Sequence, residues 1–269
     1  MTMSETSPPA RTVADAPELR TEQRGPVLWL TIDREARRNA MSPAVLAGLS
    51  NALALANARR DIRAVVLTGA GERAFCSGAD LATGGSFTFD YSEPYLAFAN
   101  LLRQARQSNV PLVGRINGAC MAGGMGLMAM CDMVVAAPHA VFGLPEVKVG
   151  VFPAQVLTVL GDLMPHRLLT QMCVTGEPIS AAQALDCGLV NMVDADLDGA
   201  VQRLLEQVLD KSPAAIRRGL YTMKRVQSMA FDESMAFTES QIGLFALTED
   251  AREGQLAFRE KRAPQWSGR

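Results

Sequence analysis

Residues 117–132, NGACMAGGMGLMAMCD, hold the reading on which the fold turns. Four of the first ten positions are glycine, and an apolar, methionine-rich segment follows. Glycines at the start of a helix let main-chain N–H groups face outward toward an oxygen or a phosphate, and Gly123 and Gly124 are placed to do so. The same glycines would equally serve close packing of one element on another. A chemical partner elsewhere in the chain has to separate the two readings.

Working outward, the stretch is preceded by a strand expected around 112–116 and followed by a short one, MVVAA, at 133–137. Upstream, 27–32 (VLWLTI) is apolar and β-prone. Ser42-Pro43 supplies an N-cap and an N1 proline for a helix to about 60, and 63–68 (RAVVLT) has the composition of a buried parallel strand. That order is β-α-β. After 63–68 comes ERAFCSGADLATGG, whose SGAD core lies in a loop at a strand end, where sites collect. Residues 83–93 have turn composition with exposed aromatics and are expected to form a lid or surface loop before a helix at about 94–107. Downstream, helices are expected at about 153–163, 165–173 and 179–187, then a strand at 189–193. The remainder is almost entirely helical: 197–210, 213–229, 231–248 and 249–262. The organisation expected is thus a disordered tail over 1–20, an α/β body over 21–196 and a helical region over 197–269, without internal repeats.

Composition excludes several function classes. The 269 residues carry a formal net charge of −2, which gives no electrostatic case for nucleic acid or an anionic membrane surface. The five cysteines include no C-x-x-C pair, and their odd number argues for reduced thiols and a cytoplasmic setting. No basic start followed by an apolar run marks a secretory signal, and no uncharged apolar stretch approaches the ~18 residues needed to span a bilayer. No His, Cys or acid cluster has metal-ligand spacing, so no metal is expected. His139 and His166 lie in separate segments and read as surface or capping residues. Ser77 is not in a G-x-S-x-G setting and is no nucleophile candidate. The five methionines 121, 125, 128, 130 and 133 recur at helix-like spacing and read as adaptable core.

One alternative needs facing. Gly124 to Ala129 fits G-x-G-x-x-A after a strand, with Glu146 twenty residues past Gly126, which on paper is a dinucleotide fingerprint. There the acid ends the very next strand, whereas Glu146 follows a second apolar run and a Leu-Pro break. The better pairing joins the two glycine-bearing loops. If the strands before SGAD and AGGMG are neighbours, the N–H groups of Ala79 and Gly123 converge into an oxyanion hole. Such donors stabilise a thioester carbonyl as it becomes an enolate. Glu146, an acid in the apolar setting GLPEV, is the natural proton acceptor, since such surroundings raise a carboxyl pKa. Asp80 reads as a salt-bridged acid supporting the SGAD turn.

At these residues the sequence resembles the crotonase (enoyl-CoA hydratase/isomerase) family, over about 24–262. The motifs are RAVVLTGAGERAFCSGADL, INGACMAGGMGLMAMCD, FGLPEVKVGVFP, ISAAQALDCGLVNMV and AFREKR. The resemblance implies an α/β spiral of ββα units with a helical C-terminal region, and a trimer or a dimer of trimers. It implies that Ala79 and Gly123 are the oxyanion donors and Glu146 the catalytic acid/base. It also implies an acyl-CoA substrate held along Arg37, Asn39 and Ala40 and beside Ser77, Gly78, Asp80, Leu81 and Gly124, with Lys261 suited to phosphate. No cofactor is then required, because coenzyme A is part of the substrate. One departure matters. Hydratases of this family carry a further glutamate six residues before the Cys-Asp aspartate, and here that position is Gly126. A lone Glu146 points to the isomerase branch, with hydration through another group (Asp90, Glu93 or a residue of the helical tail) or a non-catalytic acyl-CoA scaffold as alternatives.

Overall fold

The computed structural model describes residues 18–80, 92 and 96–269. Strand β1 (Leu19–Arg24) pairs antiparallel with β2 (Val27–Ile32) across the Gly25-Pro26 turn. Residues 18–20, assigned to the tail from sequence, therefore belong to the body: Leu19 is buried and faces Ile32 in the register. The tail reading missed β1 because its alternation places charged residues at every second position.

Helix α1 (Pro43–Ala58) starts where expected, with Ser42 Oγ accepting from Val45 N at 3.2 Å and Pro43 at N1. Next come β3 (Ala64–Gly69) and the short β4 (Ala74–Cys76). After the undescribed stretch, α2 (Ala97–Gln107), β5 (Leu112–Ile116), β6 (Ala119–Met121) and α3 (Gly123–Ala129) follow. Then β7 (Met133–Ala136) and β8 (Val141–Gly143) lead to a 3-10 turn, Pro145–Val149, and to α4 (Ala154–Leu160) and α5 (His166–Thr175). Strand β9 (Ile179–Ser180), α6 (Ala181–Asp186) and β10 (Met192–Val193) complete the body. The C-terminal region is α7 (Leu197–Leu209), α8 (Pro213–Val226), α9 (Phe231–Ala246) and α10 (Glu249–Glu260).

From β3 to β8 successive strands alternate between two sheets. The larger sheet has the order β1-β2-β3-β5-β7-β10, parallel throughout except at β1, and the smaller has the order β4-β6-β8-β9. In that stretch each turn of the chain lays one strand on the large sheet, the next on the small one, and closes with helix. The result is the spiral of ββα units. β3 is buried along its whole length because both its faces are covered. Val65 and Leu67 face the main core with α1, whereas Ala64 and Val66 face Val201 and Leu205 of α7. The two-residue side-chain period of a strand produces this division. Among the described residues no helix is long and apolar enough to cross a membrane.

Candidate active site

The small sheet positions the site. β4, β6 and β8 are adjacent and parallel, with Cys76 beside Cys120 and Met121 beside Gly143. Their carboxyl ends therefore lie together, and each is followed at once by a segment singled out in the sequence: Ser77 to Asp80, Ala122-Gly123, and Pro145-Glu146. Parallel strand ends are where α/β proteins place their ligands.

Ala79 forms a parallel bridge with Met41. Met41 N donates to Gly78 O at 2.8 Å and Asp80 N donates to Met41 O at 3.1 Å. That pattern uses the groups flanking Ala79 and turns Ala79's own N–H away from Met41. On the other side lies the start of α3. A Cβ on Gly123 would stand 3.8 Å from Ala79 N, and one on Gly78 would stand 3.2 Å from Gly123 N. Gly123 opens α3, so its N–H has no i−4 carbonyl within the helix. The Ala79 and Gly123 main-chain nitrogens thus lie close together.

Two backbone features enforce this approach. Gly78 has φ +98, and a Cβ there would meet Ala122 Cβ at 2.8 Å, so only glycine lets the SGAD loop come so near. Ala122 has φ 51 and ψ −125, a conformation costly for a residue with a side chain, held by Ala122 N donating to Gly143 O at 2.8 Å. Strain of this kind collects at functional sites. Gly124 is a packing residue: a Cβ there would lie 2.3 Å from Cys76 O. Gly126 is likewise covered, so the dinucleotide reading has no accessible glycine cradle to stand on.

Glu146 sits on the 3-10 turn after β8. It is half-buried; its Oε2 is shut off from solvent and accepts no hydrogen bond among the described residues. Burial holds its carboxyl above the ordinary value of 4.5. The nearest cation in sequence, Lys148, pairs with Glu177 at 2.8 Å and so is engaged elsewhere. Cys173 of α5 is close enough that the Glu146 charge, added to its own burial, raises its thiol pKa.

The other expected residues are distributed as follows. Ser77 N donates to Arg38 O at 3.1 Å, and Ser77 Oγ donates to Arg37 O at 3.5 Å, so the turn after β2 and the SGAD loop run together. Arg37 is exposed and Ala40 buried. Asn39 faces inward: its amide donates to Ala70 O and Ala74 O and accepts from Arg34 N. Asp80 is ion-paired with Arg34 at 2.7 Å. Lys261 caps α10 in the left-handed region, exposed, on a helix packed chiefly against α8 and α9. Leu81, Asp90, Glu93 and most of the expected 83–93 loop lie outside the described residues. Three neighbours went unmarked in the sequence: Met41, whose Cε lies where a Gly123 side chain would go, Phe98 beside Gly126, and Cys173. Nothing local distinguishes them from ordinary core.

Paired donors and a half-buried acid at adjoining strand ends define a site able to hold an oxygen that gains charge while a proton moves. Residues 22–269 match the family described as Enoyl-CoA hydratase/isomerase, and the chain belongs to it as a crotonase-type enzyme. It is 35% identical to the 2,3-dehydroadipyl-CoA hydratase of Escherichia coli (strain K12), over 94% of this chain and 99% of that one. It is 31% identical to the (E)-benzylidenesuccinyl-CoA hydratase of Thauera aromatica, covering 90% and 96%. Among solved structures, the enoyl-CoA hydratase from Bacillus anthracis superposes with a TM-score of 0.87 at 28% identity, covering 94% of this chain and 100% of that one.

Proposed function

We propose that this protein moves a double bond in an unsaturated acyl-CoA thioester through an enolate held by the N–H groups of Ala79 and Gly123. The Glu146 carboxylate takes a proton from the α-carbon of a 3-enoyl-CoA. The electron pair delocalises into the thioester carbonyl, whose oxygen accepts from both donors. Glu146 then returns the proton to the γ-carbon, and the double bond now lies between the α- and β-carbons. Atoms and charge balance with no other reactant, so no separate cofactor is needed, coenzyme A being part of the substrate.

The observation that carries this reading is the half-buried Glu146 carboxyl, whose Oε2 has no hydrogen-bond partner among the described residues, in a chain whose position 126 supplies no second acid. Adding water requires a water molecule held and activated between two groups, whereas moving a double bond requires one base acting twice. The second reading is hydration of a 2-enoyl-CoA, favoured by the names of the relatives above. An assay of 2-enoyl-CoA against 3-enoyl-CoA separates them: faster conversion of the 3-enoyl substrate supports migration, and fast hydration overturns it. Solvent deuterium exchange at the α-carbon, lost in Glu146→Gln, supports enolate chemistry. Absence of exchange in both proteins would leave an acyl-CoA-binding scaffold.

We also infer assembly into a trimer or a dimer of trimers through the C-terminal helices. Met223, Phe231, Ile242, Leu247 and Phe258 expose large apolar surface there in the single chain.

A further inference from the structure

The space beside Gly126 is already taken. A side chain at that position would put its Cβ 2.7 Å from Phe98 Cζ, 3.4 Å from Phe98 Cε1 and 3.5 Å from Val156 Cγ2. Phe98 comes from α2 and is partly buried against the main core; Val156, on α4, is buried. Residue 126 is three positions past Gly123 on α3 and is the position at which the family's hydratases carry their second glutamate. The surroundings of position 126 are hydrocarbon.

We propose that Phe98 is a specificity-determining residue of this site: its ring fills the volume a second acid would need and, with Val156, makes the surroundings of position 126 apolar. This rests on the double-bond-migration reading above. A water poised for addition must be held by hydrogen-bonding groups, and a hydrocarbon wall offers none, so an unpaired water there is disfavoured. Proton return to carbon asks nothing of that wall. Because Phe98 Cζ is the far end of a side chain, trimming Phe98 opens this volume without rebuilding the backbone. Room for an acid at 126 is therefore created by trimming Phe98, not by changing position 126 alone.

The test uses the full chain as wild type, Phe98→Leu, Phe98→Ala, Gly126→Glu and Phe98→Ala/Gly126→Glu, with kcat and KM measured for but-2-enoyl-CoA hydration and hex-3-enoyl-CoA isomerisation. The double variant should raise the hydration-to-isomerisation ratio by about 100-fold over Phe98→Ala, the scale of one positioned acid/base. Gly126→Glu alone should leave that ratio unraised, and Phe98→Leu should keep the wild-type ratio. Equal gains in Gly126→Glu and the double variant would overturn the proposal. Should the double variant not fold, thermal unfolding of Gly126→Ala, made alone and together with Phe98→Ala, decides. A Tm loss relieved by Phe98→Ala supports the steric role, and equal losses overturn it. Wild-type protein that hydrates faster than it isomerises would instead refute the migration reading, a result visible before any variant is made.

Discussion

Arg34 Nη2 stands 2.7 Å from Asp80 Oδ2, with only 10% and 7% of the two side chains exposed. The same guanidinium donates through Nη1 to Ala40 O at 2.6 Å and reaches Glu18 Oε1 at 2.8 Å through Nε. One cation thereby ties the start of β1, the turn after β2 and the SGAD loop. Asp80 follows Ala79, so the pair fixes the turn that carries the proposed Ala79 donor. Removing one partner of a buried pair strands the other charge, at a cost of about 3–5 kcal/mol. Asp80→Ala should lose stability at the lower end of that range, because Arg34 keeps Glu18. Denaturant unfolding measures it, and an unchanged midpoint would show that the pair contributes nothing.

Glu146 couples activity and stability to pH in opposite senses. Its carboxyl binds a proton more tightly in the folded protein than in the unfolded chain. The stability it contributes is therefore fully present below the unfolded value of 4.5 and lost as pH rises through the higher folded value. Glutamine mimics the protonated form. Glu146→Gln should raise Tm at neutral pH, with the gain shrinking toward about pH 4. Enolisation needs the ionised form, so wild-type kcat/KM should rise with pH along a limb displaced upward from the ordinary carboxyl value, and the variant should lose about 100-fold or more. A Tm difference independent of pH would contradict this.

Gly78→Ala tests the approach of the two loops. At φ +98 a side chain costs about 1–3 kcal/mol of backbone strain, and the new Cβ would press on Ala122 Cβ at 2.8 Å. The relief available is to push the SGAD loop and the start of α3 apart. Loss of one well-placed donor typically costs about 10²–10³ in kcat. A fall of that size in α-proton exchange, in a protein that still unfolds cooperatively, is expected; wild-type exchange would show that the spacing is not critical.

Association should depend on the exposed apolar positions of α9 and α10. Ile242 is 71% exposed and Phe258 86% in the single chain. Ile242→Glu/Phe258→Glu should give a smaller particle by light scattering than wild type. A wild-type monomer at micromolar concentration would refute the inferred trimer.

The helical C-terminal region was legible in its sequence, with all four helices starting where expected and ending within three residues of expectation. Helices α8 and α10 start at the expected 213 and 249, where Ser212 Oγ accepts from Ala215 N and Thr248 Oγ1 from Ala251 N. The large-sheet strands β2, β3, β5 and β7 were also visible as continuous apolar runs. The small sheet was not. β4, β6 and β8 are three residues each and β9 is two, too short to show a period.

By itself the sequence determined the elements, the glycines at the two loops and the acid in its apolar setting, because capping, periodicity and local polarity are properties of neighbouring residues. The tertiary structure alone decided which strand ends adjoin. It brought Ala79 beside Gly123 through β4 and β6, turned the Asn39 amide inward, and set the Phe98 ring over Gly126. Those are contacts between residues 28 to 44 positions apart, and strand pairing and core packing, which carry no local sequence code, create them.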